Sequence, residues 1–188
     1  KSMKDLTAMK NVIRVIKEGG AVGIFPEGNR TLSGGQWELD DAIAKLAKNL
    51  KVPLVIDNIS GGYGADPRWG HCVRKGKMNG YIKRVISPEE ISTLSVEELF
   101  KIIKTELKVD DTNLNIKFQN RKRAEYIERV LYICPVCGAV SSFVSHKDKF
   151  ICKNCNVSAE YTPNLKISPT VKEYNRIYEW FEWERNEI

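Results

Sequence analysis

No apolar run in this chain is long enough to cross a bilayer. The longest, Ala21–Phe25 and Val130–Cys134, extend about five residues even with a glycine counted, whereas a spanning helix needs about 20. No charged-then-apolar leader opens the sequence, so nothing marks it for secretion. Low-complexity tracts, internal repeats and linkers rich in Gly, Pro and Ser are also missing, and no disordered tail is expected. The first residue is Lys1, and Ser2 already reads as a helix cap. So abrupt an opening leads us to expect further sequence upstream.

What is present is an ordinary globular composition. The 188 residues are 42% hydrophobic, enough to bury a core and to build one medium domain or a domain with a small module. The net charge is +6 and the sequence pI about 9.0, a balance that suits acidic partners such as phosphates, anionic lipid or nucleic acid. The positive charge is concentrated mid-chain, where Arg68, Arg74, Lys75, Lys77, Lys83 and Arg84 face only Asp66, while the segment from Ser168 onward is acidic. Four of the five cysteines form two Cys-x-x-Cys pairs. Without a secretion signal, metal binding is the better reading than disulfides.

Periodicity predicts a helix over residues 2–17, with Ser2 and Asp5 as a capping-box-like start, Met3, Leu6, Met9, Ile13 and Ile16 on one face, and Gly19-Gly20 ending it. A short strand is expected over Ala21–Phe25. A helix over Glu38–Leu50 follows, with Ala42, Ile43, Leu46, Ala47 and Leu50 facing inward, then a strand over Val52–Ile56 and a Gly-rich segment, Gly61-Gly62-Tyr63-Gly64. This order argues for an α/β layer with a buried, largely parallel sheet. Arg74–Ile86 reads as one or two strands turning at Asn79-Gly80. Ser95 with Glu98 starts a helix bearing Val96, Leu99, Ile103 and Leu107, and Lys117–Arg129 reads as a basic helical bridge. Pro169 opens a last helix with Val171, Tyr174, Tyr178 and Phe181 in line. That helix also carries Trp180 and Trp183; its acidic surroundings favour packing against the cysteine module over an anionic membrane.

The stretch Gly23-Ile24-Phe25-Pro26-Glu27-Gly28-Asn29-Arg30-Thr31-Leu32-Ser33 is the most informative. A strand runs into a proline-fixed turn, and Gly28 allows close backbone approach to a ligand. Arg30 offers a planar fork to a phosphate, Thr31 and Ser33 add hydroxyls, and Glu27 can orient Arg30. On residue chemistry alone, the same stretch also describes a structural turn with a surface arginine. Phe25-Pro26-Glu27-Gly28-Asn29-Arg30-Thr31 closely resembles the Phe-Pro-Glu-Gly-Thr-Arg-Ser motif of the 1-acylglycerol-3-phosphate acyltransferases. The helix ending in Glu18-Gly19-Gly20 is similar to the family's helix before that motif. Val52-Pro53-Leu54-Val55-Ile56 looks like its Val-Pro-Val-Val-Pro block with Ile56 for the second proline, and Ser95–Leu107 resembles a later helix, so that the likeness covers about residues 1–110.

The resemblance implies a partial glycerol-phosphate acyltransferase-like layered α/β fold. In that family a His-x4-Asp box supplies a general base that activates the acceptor hydroxyl against an acyl thioester, and the Glu-Gly-x-Arg motif binds the acceptor's phosphate. Carried over, Glu27, Gly28, Asn29, Arg30 and Thr31 form the phosphate site, with Arg30 as the main ligand. The residues five beyond His71 and His146 are Gly76 and Ile151, so no His-x4-Asp box lies in the chain. No catalytic residue is therefore assigned, and the chain alone is expected not to turn over. His71 reads as an ordinary surface or partly buried histidine and Cys72 as a packed apolar residue.

Cys134-Pro135-Val136-Cys137 and Cys152-Lys153-Asn154-Cys155 are separated by fourteen residues. Each pair forms a knuckle whose thiolates point at one ion, with Gly138 after the first where a tight turn is needed. Cys134, Cys137, Cys152 and Cys155 are thus expected to hold a structural zinc ion, with iron in a rubredoxin-like site as the competitor. A module of about 30 residues buries too little surface to fold alone, and metal binding supplies roughly 10–16 kcal/mol. The lead-in Arg123–Tyr132 resembles the one before a ribbon appended to some bacterial members of the acyltransferase family.

These readings divide the chain into an acyltransferase part (1–110), a helical bridge (111–129), a zinc ribbon (130–162) and a C-terminal helix (163–188). They imply an O-acyltransferase of phospholipid biosynthesis that moves a fatty acyl group from acyl-CoA or acyl-carrier protein to a lysophospholipid such as 1-acylglycerol 3-phosphate. It would work at the cytoplasmic face of the cell membrane as a peripheral protein or through upstream sequence. A nucleic-acid-binding zinc-ribbon protein is the alternative; the aromatics are not interleaved with the basic cluster, so no nucleic-acid partner is expected. A non-catalytic lipid-phosphate-binding scaffold is the third reading.

Overall fold

The computed structural model describes residues 6–187, and the Ser2–Asp5 cap expected at the start lies outside them. The chain is mixed α/β. It divides into two compact units, one of Lys1–Asn29, Glu38–Asp57 and Ile82–Leu107, the other of Arg30–Trp37, Asn58–Tyr81 and Lys108–Ile188. Strands β1 (Leu54–Ser60) and β2 (Asn79–Ile86) pair as a two-stranded sheet.

In the first unit, α1 (Leu6–Lys17) ends where Gly19 takes φ 80 and the amides of Glu18, Gly19 and Gly20 return to the last helical carbonyls. Residues 21–25 form no strand; Phe25 is 84% exposed. A strand persists only when its backbone groups meet a ladder partner, and none among the described residues pairs with this stretch. Helix α2 is shorter than expected, Ala42–Leu50, because Asp40 Oδ1 accepts the Ala42 amide (2.8 Å) and sets the start there. Its buried residues are Ala44 and Ala47, with Ala42 turned to solvent.

Two further helices complete this unit. α4 (Pro88–Thr93) is capped by Ser87 and carries Pro88 in its first turn; α5 (Val96–Glu106) opens on the expected Ser95–Glu98 capping box. Lys48 of α2 donates to the carbonyls of Ile91 (3.3 Å) and Leu94, and Arg84 pairs with Glu90 (2.5 Å). The core beneath is aliphatic: Ile56, Ile86, Ile91, Leu99 and Ile103 with the two helix alanines. No turn forms at Asn79-Gly80, which lie inside β2.

The second unit is built on an antiparallel sheet of β3 (Phe143–His146), β4 (Lys149–Cys152), β5 (Ser158–Tyr161) and β6 (Ile167–Ser168), in that order. Among the described residues no larger parallel sheet forms of the kind expected from element order: the earlier part of the chain contributes the two-stranded β1–β2 sheet, and the four-stranded sheet is antiparallel. Register places Phe143 opposite Cys152 and Phe150 opposite Ala159, so alternate residues of each strand face one core. Helix α6 (Ile177–Asn186) packs there through Ile177, Trp180, Phe181 and Glu184. It begins eight residues later than Pro169 suggested, because Val171 and Tyr174 exchange backbone hydrogen bonds (3.1 and 3.0 Å) in a tight loop with Lys172 at φ 55. Trp180 meets Phe143 edge-on at 5.4 Å, which is the packing against the cysteine module expected of this segment.

Residues 117–129 are not an α-helix. Their amides go elsewhere: Phe118 to Pro163, Gln119 to Lys75, Ala124 to Lys147 and Tyr126 to Ser145 Oγ. A helix needs those donors for its own ladder, and Tyr126 at φ 70 breaks it besides. Only a 3-10 turn, Ile127–Arg129, remains. The Phe118 ring lies against two glycines: a Cβ on Gly64 would sit 2.4 Å from it and one on Gly76 2.2 Å. A four-residue helix, α3 (Gly62–Ala65), opens at Gly61, and the buried Asp111 accepts the amides of Gly61 (2.7 Å) and Gly64 (3.1 Å).

Candidate functional site

The proposed phosphate-binding residues fall in both units: Glu27, Gly28 and Asn29 in the first, Arg30 and Thr31 in the second. In the first unit, Gly28 takes φ 67 and donates its amide to the Phe25 carbonyl (3.0 Å), closing a turn that a Cβ would strain. Nothing beyond its chain neighbours lies within 4 Å of where its Cβ would stand, which leaves that side open to a ligand.

In the second unit, Arg30 donates through Nη1 to Asp66 Oδ2 (2.5 Å) and to the Asp66 carbonyl (3.2 Å). Both side chains are more than half exposed, so this pair is worth only about 0.2–1 kcal/mol. Arg68 donates to the Arg30 carbonyl at 3.5 Å, bringing a second guanidinium to the same stretch. Thr31 does not present its hydroxyl outward: Oγ1 donates to the Gly35 carbonyl (2.6 Å) and accepts the Gly34 amide (3.0 Å). Ser33 is buried, and a Cβ on Gly35 would lie 2.0 Å from the Tyr178 ring. Residues 31–35 therefore lie tight against the core, with Arg30 at their exposed end.

The mid-chain basic cluster is smaller in space than in sequence. Arg74 is buried between the rings of Trp69 (5.0 Å) and Tyr161 (5.1 Å) and donates to the carbonyls of Arg123 (2.7 Å) and Gly64 (3.4 Å). Arg84 is spent on Glu90 and Glu106. Arg68, Lys75, Lys77 and Lys83 remain exposed. His71 is exposed and rests edge-on against Tyr126 at 5.5 Å, as a surface histidine does.

The second constellation is the cysteine cluster. The two knuckles repeat one backbone pattern. The amide of Gly138 returns to the Cys134 carbonyl (2.8 Å) and that of Asn156 to the Cys152 carbonyl (2.9 Å), both donors in left-handed backbone. The Cys134 amide then donates to Ala139 (3.0 Å) and the Cys152 amide to Val157 (2.9 Å). The sequence marks the first turn with Gly138; asparagine, which tolerates the same conformation, marks the second less visibly.

The four sulfurs all lie within 4.8 Å of one another, with Cys134 to Cys155 at 3.7 Å and Cys137 to Cys152 at 3.8 Å. A tetrahedron with zinc–sulfur bonds of about 2.3 Å has edges of about 3.8 Å. The cluster therefore fits a metal ion such as zinc. Burial pushes the Cys134 thiol up to about 12. Burial also raises Cys152, but the Ser142 hydroxyl at 3.1 Å and the amides of Cys155 and Asn154 outweigh it and bring it to about 6. A metal taking all four as thiolates must displace protons, Cys134's above all.

Sequence reasoning missed the partners that hold these groups. Asp66, Asp111 and Glu184 act on residues far away in the chain, and no local pattern announces them. Glu184 is wholly buried at a core position of α6, and burial raises its carboxyl to about 8 against the opposing amides of Ile133 and Tyr132.

Residues 1–56 match a family model described as Acyltransferase, which supports acyl transfer in general for that stretch. No curated protein and no solved structure matches the chain.

Proposed function

We propose that this chain contributes the acceptor-binding part of an O-acyltransferase that moves a fatty acyl group from acyl-CoA or acyl-carrier protein to a lysophospholipid of the 1-acylglycerol-3-phosphate type. The observation that carries the reading is the exposed guanidinium of Arg30, a residue within the span the family model matches, tied to Asp66 by a weak ion pair. A phosphate offers the guanidinium more charge and better bidentate geometry than one carboxylate oxygen. Asp66 then serves as a placeholder that keeps the fork extended until the acceptor arrives.

In the reaction, the acceptor hydroxyl loses a proton to a base, attacks the thioester carbonyl, and expels the thiol. That base is not assigned to any residue of this chain. The chain's part is to hold the acceptor by its phosphate so that the hydroxyl is presented in one orientation, an entropic contribution that reaches several kcal/mol in well-positioned sites. Cys134, Cys137, Cys152 and Cys155 would hold a structural zinc. With four thiolate ligands such an ion would keep no open position and would supply cross-linking of the second unit rather than chemistry.

No helix among the described residues is long and apolar enough to cross a membrane. Our reading puts its work at the cytoplasmic face of the cell membrane, as a peripheral protein or through upstream sequence, because such acceptors reside there. The test is lysophosphatidate binding by the chain and its Arg30→Ala variant. Hydrogen bonds to a charged group contribute about 1.5–3 kcal/mol, so the variant should bind at least about tenfold more weakly with an unchanged circular dichroism spectrum. Equal affinity would remove Arg30 from the phosphate site. Salt-dependent oligonucleotide binding that survives the substitution would favour a nucleic-acid role instead.

A further inference from the structure

Every backbone polar group of the dipeptide before Cys134 is accounted for, and helix α6 supplies most of the partners. Glu184 Oε1 accepts the amides of both Tyr132 and Ile133, each at 2.8 Å. Trp180 Nε1 donates to the Ile133 carbonyl at 3.0 Å. The remaining group, the Tyr132 carbonyl, accepts the Ser141 amide at 2.6 Å across the knuckle. Trp180 and Glu184 stand one helical turn apart on the buried face of α6, and both are 0% exposed.

A carboxyl group is a costly choice for that position. An apolar residue would extend the stripe of Ile177, Trp180 and Phe181, whereas Glu184 brings a second oxygen, Oε2, that is buried without a partner. What it does that an apolar side chain cannot is accept two adjacent amides at one point, fixing the peptide planes that aim the next residue. That residue is Cys134, the buried ligand of the first knuckle.

We infer that α6 is a positioning element of the metal centre: Glu184 and Trp180 hold the Tyr132-Ile133 dipeptide in the orientation that delivers Cys134, so docking of the helix and retention of the metal are one coupled equilibrium. The inference rests on the four-cysteine cluster being a metal site. Partners outside the ligand shell that orient ligands commonly change metal affinity by about 10- to 100-fold when removed. Here the orienting groups come from about fifty residues downstream, which gives the C-terminal segment leverage over a site it does not ligate.

The test uses the full chain loaded with Zn2+ or Co2+ and four variants: Glu184→Ala, Glu184→Gln, Trp180→Phe and Ile177→Ala. Ile177 is also buried on the same helix face, in the same apolar core, and its side chain can make no hydrogen bond, so its variant reports the cost of loosening the core alone. Zinc release to a chromogenic chelator should be about 10- to 100-fold faster in Glu184→Ala. It should be intermediate in Glu184→Gln, whose amide oxygen can accept the same two N–H groups, and near the wild-type rate in Ile177→Ala. Stripping zinc from the wild type should raise hydrogen exchange across α6. Equal release from Glu184→Ala and Ile177→Ala, or exchange in α6 indifferent to the metal, would overturn the inference. Should Glu184→Ala not fold, Glu184→Gln and Trp180→Phe carry the comparison against Ile177→Ala. The cobalt–thiolate absorption of the wild type tests the metal site separately; without it the site reading fails, and the inference with it.

Discussion

The contact of Phe118 with two glycines makes a double substitution the sharpest check on the packing of the second unit. Phe118 is 0% exposed, and truncating a buried phenylalanine to alanine costs about 3–5 kcal/mol through lost transfer energy and the cavity left behind. Gly76→Ala in the intact protein puts a methyl carbon 2.2 Å from the ring, an overlap that must be relieved by movement; overpacking of this kind costs about 1–3 kcal/mol. Gly76 is not among the glycines at positive φ, so the backbone accepts alanine and the whole penalty is steric. With both changes present, the alanine methyl enters the space the ring vacated. Its clash disappears and part of the cavity is filled, so Phe118→Ala/Gly76→Ala should be more stable than the sum of the single losses by at least about 1 kcal/mol. The assay is urea unfolding of the zinc-loaded chain followed by tryptophan fluorescence, because Trp37, Trp69, Trp180 and Trp183 all belong to the second unit and report it alone. With a slope of about 1–3 kcal/mol per molar urea, Phe118→Ala lowers the midpoint by at least about 1 M. Additivity of the two changes within about 0.5 kcal/mol would refute the contact.

Two other outcomes can be read with the same protein. Zinc affinity should rise with pH between 6 and 8: Cys134 is held up to about 12 and stays protonated across this window in the metal-free protein, so binding must release at least that proton. The dependence is at least about tenfold per pH unit. Competition against a chelator of known affinity at three pH values checks it, and a flat response would mean that Cys134 is not a ligand. Asp111→Ala should leave the Gly61 and Gly64 amides without acceptors, at a cost of about 1–3 kcal/mol each. Asp111→Asn, which keeps one carbonyl oxygen, should lose about half as much in the same fluorescence melt.

Local chemistry was legible in the sequence, and long-range chemistry was not. The Ser95–Glu98 capping box, the glycine stop after α1 and the inner face of α5 follow from residues within a turn or two of one another, and the cysteine cluster from two such short motifs whose matching pattern implies that they meet. The helix expected over 117–129 failed because its amides are claimed by Pro163, Lys75 and Lys147, none of which a local window contains. Arg74 looked like part of a solvated cluster because its neighbours are basic. Its place between Trp69 and Tyr161 depends on a residue nearly ninety positions away. Likewise Glu184 belongs to an acidic segment in sequence and to the core in space. In the stretch from Pro26 to Ser33, residue types suggested hydroxyls aimed at a ligand, whereas the Thr31 hydroxyl bonds the Gly35 carbonyl and Arg30 meets Asp66.

The cradle at Gly61 and Gly64 has a consequence for anion selectivity. Two convergent amides at the start of a turn are what a free phosphate or carboxylate would seek, but here the chain has installed its own anion, Asp111. A tethered carboxylate competes at an effective concentration on the order of millimolar or higher. A diffusing anion at micromolar levels therefore meets a cradle already saturated from within. Prior occupancy leaves the net charge of +6 to act through mobile guanidinium and ammonium groups. An anion drawn by those groups must therefore be held somewhere other than this cradle.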